Sequence, residues 1–203
     1  MSETTALPPR RSALAGVWAP GDHGRTGFAG PQVTLRARRG LTAVQLDARR
    51  GAADAVNDAM ETALGLTLPG PGYAATTGDI RALWLGPDRW LLQTVTLTDL
   101  ESQLQGMTAH IGGVVVDQSH GRTILRIEGA RARDLLAKGT GIDVHARAFA
   151  ENTVAQTSLF QLAVTIDRRR GTACFDVHAM RGFAVHLYEA LLEAGGEYGV
   201  RVM

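Results

Sequence analysis

The chain has 203 residues, 45% of them hydrophobic and 20% charged, with a formal net charge of +1. That length can bury a core without disulfides or metals, and the near-neutral balance gives no reason to expect nucleic acid or an anionic membrane as partner. Glycine is abundant, 24 residues in all; against a usual share of roughly 7%, this points to tight turns between short elements and so to a strand-rich fold.

A single cysteine, Cys174, has no internal disulfide partner, which favours a reducing, cytoplasmic setting. The opening MSETTALPPRRSAL has no apolar stretch of signal-peptide length. No run of about 18 apolar residues occurs, so no membrane association is expected.

Residues 1–31 read as an extended N-terminal arm. Pro8, Pro9, Pro20, Pro31 and several glycines break regular structure there, and Leu14, Val17, Trp18 and Phe28 are its sizeable apolar anchors. The composition fits a disordered tail. It also fits an ordered extension gripping a neighbouring chain through Trp18 and Phe28, and the aromatics favour the second reading.

Regular pattern begins at residue 33. VTLRARR and LTAVQLDA alternate apolar with polar around an Arg-Gly turn, as paired half-buried strands do. AADAVNDAMETALG sets Val56, Ala59, Met60, Ala63 and Leu64 on one helical stripe, with Gly65 as its stop. RALWL and WLLQTV then form a hairpin about Pro87 and Asp88, which suit a type I turn. A two-residue loop pairs Leu85 with Trp90 and Trp84 with Leu91, and so places the two tryptophans on opposite faces. One ring then belongs to the core and the other to a second layer or a partner chain. LTDLESQLQGMTAHI is a helix with Thr98 as N-cap and Glu101 completing a capping box, and GGVVVDQS is a strand.

The second half repeats this order. RTILRIEG is a strand, ARARDLLAKG a helix closed by Gly139, TSLFQLAVTID a single strand, and TACFDVHAM another strand beyond an RRRG turn. GFAVHLYEALLEAGG closes the series as a helix burying Phe183, Leu187, Leu191 and Leu192. The fold class is therefore α+β, with two duplicated ferredoxin-like βαββαβ units. They occupy residues 32–118 and 119–203, at a period of about 85 residues.

Chemistry is harder to find. Asp117, Ser119 and His120 adjoin in DQSHGR, but neighbours in a strand point to alternating faces, and triad members come from separate segments. A strand end turning through Gly121, with Arg122 and Asp117 paired across it, accounts for them. The histidines show no ligand spacing, there is no CxxC, and Cys174 reads as a small buried hydrophobe. GTGID follows a helix instead of opening one, so it is a helix end and no phosphate loop. The clusters Arg36, Arg38, Arg39 and Arg168, Arg169, Arg170 read as solvated hairpin tips, with a surface for an acidic partner as the alternative. No catalytic, cofactor-binding or metal residue emerges. The candidate interface residues are Trp18, Phe28, Trp84 and Trp90.

Three stretches carry a resemblance: ALWLGPDRWLL, then VVVDQSHGRTILRIEGARARDLLAKGTGIDVHARAF, then SLFQLAVTIDRR with FDVHAMRGFAVHLYEALLEAGGEYG. Together they resemble the gamma subunit of heterotetrameric sarcosine oxidase, and LLAKGTGIDVHARAF is their most specific block. The resemblance implies a fold similar to part of the glycine cleavage T-protein (aminomethyltransferase) family. It implies a structural subunit without catalytic residues, held with alpha, beta and delta subunits. The assembly oxidatively demethylates sarcosine to glycine, passes the one-carbon unit to tetrahydrofolate and yields hydrogen peroxide. FAD, FMN, NAD, zinc and tetrahydrofolate are expected in the other subunits. The alternatives are a gamma-like chain of a related N-methyl amino acid dehydrogenase, or a stand-alone folate-binding protein of the superfamily. Against the iron–sulfur-maintenance branch of the latter, Lys138-Gly139 continues as Thr140-Gly141 where that branch carries Cys-Tyr.

Overall fold

The structure is a computed structural model that describes residues 11–25, 27 and 30–203. Phe28 lies outside the described residues. In chain order the strands and helices are β1 (Gly21–His23), β2 (Val33–Ala37), β3 (Thr42–Ala48), α1 (Ala53–Leu64), β4 (Ala74–Thr77), β5 (Ile80–Gly86), β6 (Arg89–Thr94), α2 (Leu100–Thr108) and β7 (Gly113–Asp117). They continue as β8 (Arg122–Glu128), α3 (Ala132–Ala137), β9 (Val154–Leu159), β10 (Leu162–Arg168), β11 (Cys174–Met180), α4 (Ala184–Gly195) and β12 (Val200–Val202).

These make two sheets. The five-stranded sheet runs β4-β5-β6-β3-β7, and the seven-stranded sheet runs β1-β12-β2-β8-β11-β10-β9. In the first, β5-β6-β3-β7 is the strand order of an antiparallel ferredoxin-like unit, and β4 extends one edge. In the second, β10, β11, β8 and β12 repeat that order, and β9 is the added edge. The duplicated α+β grammar is therefore present in the fold.

One strand pairs away from its expected neighbour. Instead of pairing with β3 as a hairpin, β2 inserts between β8 and β12, antiparallel to the first and parallel to the second. Its inward residues explain the choice. Val33 and Leu35 are fully buried with Leu125, Ile127 and Phe175, in the core beneath α3 and α4. Arg38 donates its backbone N–H to Ile124 O at 2.9 Å, and Gly40, at φ 71°, turns the chain towards the other sheet.

Each sheet carries its helices on one face. Val56 and Met60 of α1 and Leu100 and Leu104 of α2 pack on Val44, Leu46, Ala82 and Leu92. α1 ends as its sequence requires: Gly65 adopts a left-handed φ of 61°, and its N–H reaches Glu61 O at 2.9 Å. α2 begins at Leu100 with Asp99 as N-cap, one residue past the capping box expected at Thr98, because Thr94 and Thr96 tie that segment to Asp79. α4 buries Leu187, Tyr188 and Leu191, while Phe183 lies outside its first turn and is exposed.

The stretch read as one strand, TSLFQLAVTID, is a hairpin of β9 and β10. Leu162 pairs with Leu159 across Phe160 and Gln161, whose φ values of 49° and 66° are those of a tight two-residue hairpin turn. Such turns favour Asn-Gly, so nothing in the residue types announced it. Packing supplies the reason. The Phe160 ring sits on Gly139, where an added Cβ would lie 2.6 Å from the ring, and its N–H bonds Gly139 O at 2.9 Å.

Candidate functional site

The tryptophan hairpin differs from its expected register. Trp84 pairs directly with Trp90, and Gly86 with Arg89, with a bulge at Leu85 between them. The extra residue shifts the register by one, so both rings lie on the same face, towards the α1 and α2 core. Leu85 turns the other way and joins Leu83 and Leu91 on the opposite face. Trp90 is 7% exposed and donates its indole N–H to Pro69 O at 2.9 Å. Trp84 is half-buried. Trp18 is also half-buried, stacked on Tyr188 at 4.9 Å, one turn beyond Leu14, which is wholly buried in the same core. The Trp18 region of the arm thus packs on its own chain, and β1 pairs with β12.

The DQSHGR residues serve the turn. Asp117 Oδ1 accepts the Ser119 N–H at 2.8 Å, Ser119 Oγ accepts the Ala43 N–H at 3.0 Å, and His120 is exposed. Arg122 forms no ion pair with Asp117. Among the described residues, no three His, Cys, Asp or Glu gather as a metal ion would require.

Polar side chains concentrate instead on the helix-free faces of the two sheets. Arg81 of β5 donates Nε to Asp167 Oδ2 of β10 at 2.7 Å and Nη2 to the other carboxylate oxygen, joining the sheets. Its Nη1 reaches Thr76 Oγ1 at 2.8 Å and Asn152 Oδ1 at 3.1 Å. Arg169 lies 3.4 Å from Asp167 and 3.8 Å from Asp176. Asp176 in turn takes a two-pronged pair of hydrogen bonds from Arg126, at 2.7 and 2.8 Å. The result is a run of alternating charge: Arg81, Asp167, Arg169, Asp176, Arg126. A cavity of about 560 Å³ opens beside it, lined by Arg81, Arg126, Arg169, Glu128, Asn152 and Cys174 among others.

Electrostatics make this seam a fixed structure. Burial raises the Asp176 carboxyl, but the hydrogen bond and charge of Arg126 more than offset that and hold it below the usual carboxylate range. The hydrogen bond to Asp176 raises Arg126 in turn, so both stay charged. Burial pushes the Cys174 thiol up to about 12, so it stays protonated at neutral pH and makes a poor nucleophile. Burial lowers His178 to about 4, which keeps the imidazole neutral. Arg168, expected at a solvated tip, is 5% exposed and folds under its loop, donating to Cys174 O at 3.1 Å and Gly171 O at 2.7 Å. Sequence reasoning missed the seam. Its signal was a carboxylate at an inward position of an otherwise apolar strand, Asp167 after Ile166 and Asp176 after Phe175, because a buried charge demands a partner.

Residues 49–197 match the pattern of the sarcosine oxidase gamma subunit family. That span covers most of the chain. The chain belongs to the sarcosine oxidase gamma subunit family. The sarcosine oxidase subunit gamma of Corynebacterium sp. (strain U-96) is 31% identical over 166 residues, 82% of this chain and 80% of the relative. That of an Arthrobacter species is 31% identical over 159 residues, 77% of each. The same fold is found in the heterotetrameric sarcosine oxidase from Corynebacterium sp. U-96, solved in complex with pyrrole 2-carboxylate. There the match has a TM-score of 0.81 at 31% identity and covers 93% of this chain and 96% of that one. The glycine cleavage system aminomethyltransferase T from Bartonella henselae shares the fold at a TM-score of 0.65 and 15% identity, over 85% of this chain and 48% of its own. Within this chain, the seam of paired charges fixes the two sheets to each other through Arg81 and Asp167.

Proposed function

We propose that this chain is the gamma subunit of a heterotetrameric sarcosine oxidase. In this reading it is a structural subunit held with alpha, beta and delta subunits in the cytoplasm. The assembly oxidises sarcosine to glycine, passes the one-carbon unit to tetrahydrofolate and releases hydrogen peroxide. FAD, FMN, NAD, zinc and tetrahydrofolate sit in the partner subunits, and no residue of this chain touches the reacting atoms. The observation that carries the reading is the match in fold and sequence along 93% of the chain to a component of such an oxidase.

Two features of the described residues support a role in assembly. β7 is one of the two edges of the five-stranded sheet and carries Val114 and Val116, 39% and 42% exposed, on one face. Exposed valines on a free edge are an invitation to another chain, which a protein acting alone blocks with charge. Trp18 and Trp84, each half-buried, present further apolar edges, and together with Phe28 they are our candidates for contact with neighbouring subunits. Among the described residues, no helix is long and apolar enough to cross a membrane.

The test is co-expression of the tagged chain with the flavoprotein, dinucleotide-binding and small zinc-binding subunits, followed by purification and an assay for sarcosine-dependent peroxide. Stoichiometric recovery of all four, with activity that falls when this chain is omitted, is the expected result. A monodisperse chain that ignores its partners would sink the proposal. Assays with N-methylglutamate and dimethylglycine in parallel separate sarcosine from related N-methyl substrates.

A further inference from the structure

The arginines of the seam are compensated one by one. A second group, at the opposite end of β8, is not. Arg38, just after β2, and Arg122, at the start of β8, line a cavity of about 170 Å³ together with Arg11, Arg39, Arg181 and His120. None of the five arginines takes part in an ion pair among the described residues, and no carboxylate lines the cavity. The Nε atoms of Arg38 and Arg122 are buried, and neither has a hydrogen-bond partner among the described residues. Arg181 donates to the backbone carbonyl of Arg11, and Arg39 lies over the Trp18 ring, so the rim is held in place.

Uncompensated guanidinium groups at this density are costly. Like charges repel, and a buried N–H without an acceptor loses its hydration with nothing returned. Burial alone lowers the Arg122 pKa, with no carboxylate acting in the other direction. Such an arrangement persists where something supplies the missing negative charge. The cavity is far above the ~15 Å³ that admits one water, so it has room for a small polyatomic ion. The guanidinium fork matches two oxygens on one atom and has no such match with a spherical ion.

We propose that the cavity between Arg38 and Arg122 is an oxyanion-binding site, which takes a single phosphate or carboxylate group of a small molecule between the two guanidinium groups. Arg38 and Arg122 are the inner ligands. Arg39, Arg181 and His120 form an electropositive mouth. Arg38 follows β2 and Arg122 opens β8, neighbouring antiparallel strands of the seven-stranded sheet, and Ala43 of β3 lines the same cavity.

Isothermal titration of the full chain with inorganic phosphate, with acetate and with chloride at matched ionic strength tests the site. One saturable ion per chain is expected from phosphate, acetate or both, with chloride giving no more than a salt effect. Saturation by phosphate alone assigns a phosphate group, and saturation by acetate alone a carboxylate. Arg38→Gln with Arg122→Gln should weaken the binding at least tenfold. Equal heats in all three salts, or undiminished binding in the double variant, overturns the proposal. If that variant does not fold, modification of the wild-type chain by phenylglyoxal, read by mass spectrometry, decides instead. The bound ion should slow labelling of Arg38 and Arg122 several-fold relative to chloride, and equal labelling rates overturn the proposal.

Discussion

Arg81 and Asp167 form a buried ion pair across the two sheets, with 5% and 0% of their side chains exposed. Removing two such ions from water costs several kcal/mol, which their geometry and added hydrogen bonds must return. Replacing Arg81 by Met strands Asp167 with only Arg169 nearby, at 3.4 Å. That single change is expected to cost about 3 kcal/mol in urea unfolding, whereas Arg81→Met with Asp167→Leu should regain much of the loss. A single variant within 1 kcal/mol of wild type would show that the pair is not a rigid tie.

His178 gives the chain a specific acid sensitivity. It is fully buried, and neither ring nitrogen finds a partner among the described residues. Burial lowers its pKa from 6.5 to about 4, so the unfolded chain binds the proton more readily than the folded one. Its contribution is fully present above pH 6.5 and is lost as pH falls towards 4, on the order of 3 kcal/mol across that window. Unfolding titrations of His178→Phe should show a shallower fall between pH 6.5 and 4.5. An unchanged slope would place the acid sensitivity elsewhere.

Gln161 is exposed at φ 66°, a conformation that costs an L-residue roughly 1 kcal/mol and glycine very little. Gln161→Gly is therefore expected to raise thermal stability, by up to about 1 kcal/mol. Phe160, its neighbour in the turn, is held by Gly139 and should not tolerate the same exchange: Phe160→Gly loses that packing and lowers the melting temperature.

Gly129 has the opposite character. At φ 123°, an added Cβ would sit 2.3 Å from Gln32 O, at the point where the chain enters β2. Neither backbone can yield without breaking the pairing of Thr34 with Glu128. Gly129→Ala should destabilise by more than about 2 kcal/mol, combining overpacking with backbone strain, as calorimetry would show.

Val116→Lys separates assembly from folding. The side chain is exposed on a free edge, so the chain's own stability should move by less than about 0.5 kcal/mol. Recovery of the partner subunits by pull-down should nonetheless drop sharply, since a charge on an edge strand repels an incoming chain.

Much of this architecture was legible because apolar periodicity reports which residues face a core. The stripe of Val56 and Met60, the alternation in RTILRIE and the stop at Gly65 each specify local structure by short-range physics. What stayed hidden depended on partners distant in sequence. The β2 strand alternates equally well for either neighbour, and only the bare backbone at Gly129 and the apolar face of β8 choose between them. The tryptophan register turned on one bulged residue, Leu85, which reverses the face of Trp84 relative to Trp90. Of the seam, the residues were visible but not their pairing, since Arg81 and Asp167 are separated by 86 positions.

The insertion of β2 between β8 and β12 also orders events in time. During synthesis, β1 and β2 leave the ribosome long before the strands they pair with, and β12 emerges only after α4. The five-stranded sheet, whose members run without interruption from Thr42 to Asp117, can close while the rest is still being made. Val33 and Leu35 meanwhile wait uncovered, an apolar segment available to chaperones or to the wrong neighbour until β8 arrives. Only β12 can then seal the parallel edge and hold β1.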